Sequence, residues 1–405
     1  MFSALMQTEK PQAACANRKL RSKLRVGIPR VLNIWSTQQF WMGFLQGLGI
    51  DLQHIIFSSY TKPKNSRKNP VKREQASCCY PVACASNHFK ELLQGRKGKI
   101  DLLLCPMIYS LPSVLTGNGV DTLACPQVTA APENIRMGYL EKTQTSKKQK
   151  IDYVAPLVSL GDPALVPRQL FEGLREAIPG LTLDETRAAV SRGYGVLRMF
   201  NERLRRCNRR TLERCARDDK PCLMVLARPY HMDPGVNHEI ASSLLARGLP
   251  VLWAQYFPTD LDLLYWMFEG DVRAATIASP FDISDLLPCS NNANSNEILW
   301  GAKLAARMPW VAGVIRLSSH GCGLDQPTWS SVQSIVEQSG TLFFSFRDLD
   351  AASSADRMSF RIERIIDELS KHGPAIVSKK KSLSPPHCPL SAGGEVPLLA
   401  QARKA

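Results

Sequence analysis

The chain has 405 residues, 44% hydrophobic and 21% charged, which excludes disorder along its whole length and allows two or three domains at roughly 100–200 residues each. No apolar run approaches the ~18 residues of a membrane span, and the N-terminus lacks the continuous apolar core of a secretory signal, so a cytoplasmic protein is expected. The formal charge of +15 is concentrated, with +5 in residues 1–25, +8 in 61–100, +3 in 141–150 and +4 in 372–405, leaving −5 elsewhere; a mildly acidic body with basic flanks argues against nucleic-acid binding.

Residues 1–24 show no sustained period and read as a basic, disordered tail. Beyond them, short apolar runs alternate with amphipathic stretches. Strands are predicted over 26–28, 52–57, 100–105, 222–227, 250–253, 274–278, 311–317 and 342–346. Helices are predicted over 37–48, 87–94, 167–177, 183–215, 236–247, 296–306, 328–338 and 355–369. This alternation is the pattern of an α/β fold with parallel sheets covered by helices. It predicts two Rossmann-like doubly wound domains, at 25–180 and 219–372, joined by a helical connector at 181–218. The Pro- and Gly-rich stretch 373–405 is predicted to be a second disordered tail.

Twelve cysteines in a chain without a secretory signal point to a reducing compartment, where thiols pack as small hydrophobes or bind metal. No paired CxxC motif supports a zinc ribbon. Four cysteines fall on predicted loops beside Pro or Gly: Cys79 in SCCYPVACASNH, Cys105 between IDLLL and Pro106, Cys125 opening CPQVTAAPEN, and Cys322 in SSHGCGLDQPT. Small or rigid neighbours let backbone amides approach cluster sulfides, and thiolate is the soft ligand that iron–sulfur clusters take. The competing reading is that each is a structural thiol. Cys15, Cys207, Cys215, Cys222 and Cys388 read as bystanders, while Cys78, Cys84 and Cys289 are left open.

A second constellation is LARPYHMDPGVNHEI, at the carboxyl end of the strand predicted over 222–227. Arg228, His231, Asp233, Asn237 and His238 crowd one loop, with Asp233 expected to cap a helix beginning after Pro234. The remainder suggests a polar site for an anionic group or a partner, although capping and loop hydrogen bonds account for much of it. Zinc on His231 and His238 is a further option. The sequence has no GxxxxGK[ST], no GxGxxG after its first strand and no GxSxG, so ATP hydrolysis by this chain is not expected.

Five segments in order, RVGIPRVLNIWSTQQFWMGFLQGLGI, CYPVACASNH, CPQVTAAPE, ARPYHMDPGVNHEI and SSHGCGLDQ, carry a resemblance over residues 25–370. The chain resembles the carboxyl-terminal, dehydratase-like region of the large CoA-substrate-specific enzyme activases, the 2-hydroxyglutaryl-CoA dehydratase activator family. The resemblance implies Rossmann-like domains holding a [4Fe–4S] cluster between them on cysteines. Cys79 and Cys125 match the family's Cys-(Tyr/Phe)-Pro and Cys-Pro motifs, and Cys322 its Gly-Cys-Gly. Cys105 is offset, because the family's cysteine there follows the proline. The family's fused ATPase modules are not in this sequence, so the resemblance implies an ATP-dependent activase of the actin-like kinase superfamily acting in trans, with an acyl-CoA as a possible substrate. The function it implies is an iron–sulfur, electron-transferring component of a 2-hydroxyacyl-CoA dehydratase system. The alternative is a non-catalytic assembly or partner-binding module that keeps the fold without a cluster.

Overall fold

A strand of only three residues persists when neighbours bury both its faces, as in a parallel sheet. Val26–Ile28 meets that condition, with all three residues buried. A computed structural model describes residues 11–61, 79–95, 99–118, 121–139, 151–286, 291–319, 321–349 and 355–390. Cys78, Cys289 and residues 62–74 of the basic insert lie outside them. The chain divides into two compact units, one formed by Met1–Ser77, Pro81–Ser110 and Pro126–Phe200, the other by Cys78–Tyr80, Leu111–Cys125 and Asn201–Ala405.

The strands of the first unit are β1 (Val26–Ile28), β2 (Ile55–Phe57), β3 (Leu102–Leu104), β4 (Met107–Ser110), β5 (Asp152–Val154) and β6 (Leu157–Ser159). Four form a parallel sheet in the order β2-β1-β3-β5, and β4 pairs with β6 in a separate parallel ribbon. Val26 stands opposite Ile55 on one side and Leu102 on the other. The helices are α1 (Pro11–Ser22), α2 (Ile34–Gly47), α3 (Tyr80–Leu93), α4 (Pro126–Tyr139), α5 (Val166–Leu174) and the start of α6 (Leu183–Asp218). Helix α2 presses so closely on α6 that a Cβ at Gly43 would lie 2.9 Å from Val196 Cγ2, and one at Gly47 2.8 Å from the Ala189 Cα. Glycines four apart on one helix face permit that approach.

The second unit repeats the plan. Strands β7 (Cys222–Leu226), β8 (Val251–Trp253), β9 (Val311–Leu317) and β10 (Leu342–Phe346) form a parallel sheet in the order β10-β9-β7-β8. Every residue of β7 and β9 is buried, as expected of central parallel strands covered on both faces. Helices α7 (Ile240–Ala246), α8 (Leu261–Arg273), α9 (Ala293–Arg307), α10 (Gln326–Gln338) and α11 (Ala355–Leu383) complete it. Each sheet reverses its winding once, between β1 and β3 in the first unit and between β7 and β9 in the second. Both are doubly wound α/β sheets, as the sequence pattern predicts.

Several local expectations are corrected. Residues 274–278 form no strand: they close α8, with Ala275 in the left-handed region and the Thr276 N–H donating to the Asp271 carbonyl at 3.0 Å. Helix α8 itself was not expected, although Leu263, Leu264, Met267 and Phe268 recur at helical spacing on its buried face. Nor were α4, which carries Pro132 inside it, and the short strands β4, β5 and β6. Residues 52–54 make a 3-10 turn ahead of β2. Helix α3 begins at Tyr80, seven residues before the expected start.

The predicted tails also contain structure. Residues 11–22 are helical, and Arg21, 1% exposed, donates to the Pro179 and Gly180 carbonyls and pairs with Glu185 at 3.1 Å. Helix α11 continues to Leu383 and buries Lys380, whose ammonium donates to the carbonyls of Ala305 and Val311 and to Thr341 Oγ1 at 2.6, 2.8 and 3.0 Å. The expected connector is the single 36-residue helix α6, which belongs to the first unit at its start and the second at its end. No helix among the described residues is long and apolar enough to cross a membrane.

Candidate functional site

Ligands of open α/β sheets bind beyond the carboxyl ends of the strands, at the point where the winding reverses. In the second unit that point lies past the ends of β7 and β9, and a buried polar cluster occupies it. Arg228, two residues beyond β7, is 1% exposed and donates from Nε to Asp325 Oδ1 at 3.0 Å, from Nη2 to Ser295 Oγ at 3.1 Å and from Nη1 to Asn292 Oδ1 at 3.4 Å. Arg316, inside the apolar run of β9, reaches the same Asp325 Oδ1 at 3.3 Å and lies over the Trp329 ring at 5.3 Å. Ser318 Oγ donates to Asp325 Oδ2 at 2.9 Å.

Burial raises the cost of ionising Asp325, but Arg228 and Arg316 outweigh it and hold the carboxyl well below the usual carboxylate range. For Arg228 burial works against the charge, and Asp325 prevails, raising its pKa. Arg316 is shifted the other way, because burial outweighs its share of the one carboxylate. Two buried guanidiniums thus share one aspartate, leaving an excess of positive charge beside the Cys322 sulfur, which lies within electrostatic reach of both. Burial keeps the Cys322 thiol above its ordinary pKa, with Arg228 pulling it down.

The cysteines singled out from sequence fall into two groups. Cys79 directly precedes α3, Cys125 directly precedes α4, and Cys322 stands in the turn leading to α10. Each therefore sits at a helix N-terminus, where unsatisfied amides and the helix dipole favour negative charge. All three belong to the second unit. Tyr230, buried next to Arg228, lies within electrostatic reach of both Cys322 and Cys79. Cys125 is attached through Leu123, whose backbone pairs with Asn291 and Ala293 at 2.9 and 3.0 Å and whose carbonyl accepts from the Asn292 side chain at 3.3 Å. Asn292 is the residue that also contacts Arg228.

Cys105 belongs instead to the first unit, just past β3. Burial, with Glu133 adding to it, raises its pKa well above the usual thiol value. Among the described residues no three His, Cys, Asp or Glu side chains gather closely enough to hold a metal ion.

The polar loop turns inward. Arg228, His231, Asp233 and Asn237 are all buried. Asp233 caps no helix: its carboxylate accepts the Gly235 N–H at 2.9 Å and closes a turn, and α7 starts only at Ile240. Before that start, His238 and Glu239 both adopt left-handed backbone conformations, with φ of 54° and 61°. The His231 ring accepts the Arg228 backbone N–H at 3.2 Å through Nδ1 and is kept neutral by burial, which pushes its pKa down to about 3. Asn237 Nδ2 donates to the His231 carbonyl at 2.8 Å. His238 Nε2 bonds to the Leu349 carbonyl at 2.8 Å, and its ring stacks on Tyr80 at 6.4 Å. His231 and His238 thus serve different partners, and no zinc site forms on them.

Sequence reasoning missed Asp325, Arg316, Ser318 and Asn292. Arg316 did carry a signal, since a charge inside the run VAGVIRL must find a counter-charge when the strand is central. Asn292 likewise stands where an N-cap is wanted, and its Oδ1 accepts the Ser295 N–H at 3.1 Å. Asp325 carried no comparable local signal.

No curated protein matches the chain significantly. Residues 25–257, more than half of the sequence and within the stretch that carries the resemblance, match the family described as the CoA enzyme activase uncharacterised domain. With its parallel sheets and the order of motifs read from its sequence, the chain belongs to the CoA enzyme activase domain family.

Proposed function

We propose that this chain is an iron–sulfur, electron-transferring component of a CoA-dependent enzyme system of the 2-hydroxyacyl-CoA dehydratase type, reduced by a separate ATP-dependent activase. The observation that supports it is the setting of Cys79, Cys125 and Cys322. All three cysteines belong to the second unit and lead into helices, and Cys322 and Cys79 both lie within electrostatic reach of Tyr230 beside the two guanidiniums that share Asp325. The donor set fits an iron–sulfur cluster in kind: soft thiols, helix-end amides for the sulfides, and a fixed cationic excess that favours an anionic group. The thiols are not gathered for a single ion, so taking up a cluster requires their side chains to turn toward one another.

When bound, a [4Fe–4S] cluster supplies one-electron transfer. The residues of the chain hold it and set its surroundings. Cys79, Cys125 and Cys322 provide thiolates. Arg228 and Arg316 keep their charge at every working pH, since guanidinium does not titrate there. Asp325 and Ser318 hold those guanidiniums in place, and the neutral His231 ring braces the Arg228 backbone. Cys105 lies in the other unit and is not needed for this reading.

Anaerobic reconstitution with iron and sulfide tests the proposal. Bound iron should fall by more than half in Cys79→Ser, Cys125→Ser and Cys322→Ser and stay unchanged in Cys207→Ser, an exposed position on α6. Equal iron in all four variants would overturn the ligand assignment. A second reading, a partner-binding module without a cluster, is favoured by the ion pairing of Arg228 and Arg316 with Asp325, which gives both guanidiniums a structural counter-charge. The absence of stoichiometric iron and sulfide after reconstitution would select it.

A further inference from the structure

Helix α6 presents a row of arginines to solvent. Arg203, Arg206, Arg210, Arg214 and Arg217 are all exposed, and all belong to the second unit. At 3.6 residues per turn they fall within an arc of roughly 80°, and the row runs about 21 Å along the helix axis. An arginine on the inner side of the same stretch is placed differently. Arg209, with its side chain 20% exposed, pairs with Glu213, Asp260 and Asp262 at 3.2, 3.3 and 2.9 Å. In the row, Arg217 pairs with the adjacent Asp218 at 3.0 Å and Arg214 donates to Thr211 Oγ1 at 3.2 Å. Arg203, Arg206 and Arg210 make no ion pair or hydrogen bond among the described residues.

Such a row works against the helix that carries it. Residues three and four apart are neighbours on a helix surface, and like charges there destabilise it. Arg203 with Arg206, Arg206 with Arg210, Arg210 with Arg214 and Arg214 with Arg217 are four such pairs in succession. The acids of this stretch do not relieve them: Glu213 is engaged by Arg209, Asp218 by Arg217, and Glu202 stands at the edge of the row without an ion pair among the described residues. An external line of negative charge would turn the repulsion into attraction. Two long stretches outside the described residues cannot supply it, since 62–78 and 140–150 carry six and four Lys or Arg against one acid each.

We infer that this face of α6 docks an acidic α-helix of a partner protein, whose Asp or Glu side chains recur every three to four residues opposite the arginines. A helix laid alongside α6 rises by the same increment per residue, so carboxylates at that recurrence meet the guanidiniums in register. Guanidinium also grips a carboxylate through two parallel N–H groups. Other anionic partners fit less well. Among the described residues no large hydrophobic is exposed between positions 200 and 220, so the face has nothing to insert into a lipid surface. No aromatic residue interleaves the row to stack nucleic-acid bases. The inference goes beyond the cluster reading and is independent of it, since the row contains none of the proposed ligands.

The test uses the full chain and a labelled, alanine-based helical peptide whose glutamates follow the spacing of the row, with binding read by fluorescence anisotropy. An isomer of identical composition, its glutamates spread around the helix, controls for net charge, and oligothymidylate and phosphatidylserine vesicles represent the other anions. The in-register peptide should bind saturably and at least about tenfold more tightly than its isomer. Arg210→Glu should weaken that binding by about tenfold or more and also raise the melting temperature, because it converts the repulsions with Arg206 and Arg214 into attractions. Arg364→Gln, at an exposed position on α11, should change neither. No saturable peptide binding, equal affinity for the two isomers, unaltered binding by Arg210→Glu, or tighter binding of oligothymidylate or vesicles would each overturn the inference. A melting temperature that falls together with the affinity would overturn it as well, since the row would then be structural. If Arg210→Glu does not fold, Arg203→Gln and Arg206→Gln are held to the same loss of binding.

Discussion

Arg228 and Asp325, 97 residues apart in the chain, meet at 3.0 Å with side chains 1% and 0% exposed. The strand-to-helix loops at the centre of the second sheet are thereby locked to each other. Arg316 adds a second guanidinium to the same carboxylate.

Removing one member of such a network leaves an uncompensated buried charge, which costs about 3–5 kcal/mol. The two partners are not equivalent. Arg228→Met leaves Arg316 still paired with Asp325, whereas Asp325→Asn strands two guanidiniums. Denaturant titration should therefore find Asp325→Asn the more destabilising, and equal losses would contradict the shared-carboxylate geometry. Because the Asp325 pKa is depressed in the folded protein, its stabilisation is fully present above the ordinary aspartate value near 4. It is lost as pH falls from there through the lowered native value, so acid unfolding of the wild type should be steeper than that of Asp325→Asn.

Glu297 titrates in the opposite sense. Burial raises its pKa to about 7, against the pull of a hydrogen bond from Ser113 Oγ at 2.8 Å and the charge of Arg205. The folded state therefore holds its proton more tightly than the unfolded chain. The associated stability is present below the ordinary glutamate pKa of about 4.3 and is lost as pH rises through about 7. Thermal melts across that interval should show this decline in the wild type, and Glu297→Gln should flatten it. An unchanged slope in the variant would assign the pH dependence elsewhere.

Lys380 makes the carboxyl-terminal helix part of the core. Its three acceptors lie on other elements, and the neighbouring Val377 is 1% exposed. Lys380→Ala leaves buried carbonyls unpaired and should cost on the order of 1–3 kcal/mol. A chain ending at Gly373 should lose more, because the Val377 packing goes as well. Melting temperatures of the two variants measure this. Neither moving would mean that the segment is the dispensable tail its composition suggests.

The left-handed pair His238–Glu239 offers a stabilising change. Glu239 has φ 61° and its side chain makes no capping bond to α7, so Glu239→Gly should relieve backbone strain worth about 0.5–1 kcal/mol. His238→Gly should not gain as much, since it also discards the bond to the Leu349 carbonyl and the stack on Tyr80. Comparing their denaturation midpoints separates strain from contact.

Local sequence was sufficient wherever short-range order decides. Strands β9 and β10 have the bounds their apolar runs indicate, 311–317 and 342–346, because each run ends where polar residues begin. Cys79, Cys125 and Cys322 could be placed on loops from the Pro or Gly near each, and Cys322 between a strand and a helix from the apolar run VAGVIRL ahead of it. What the sequence could not reveal depends on partners far along the chain. Arg21 and Lys380 lie in segments whose composition reads as tail, and they are buried only because Glu185 and Thr341 await them at separations of 164 and 39 residues. Asp325 carries no local signal, and only the sheet brings Arg228 and Arg316 to it. Propensity and periodicity are properties of neighbours within a few residues. The burial of a charge or an amide is set by which strand ends the sheet order brings together, and tertiary structure alone decides that.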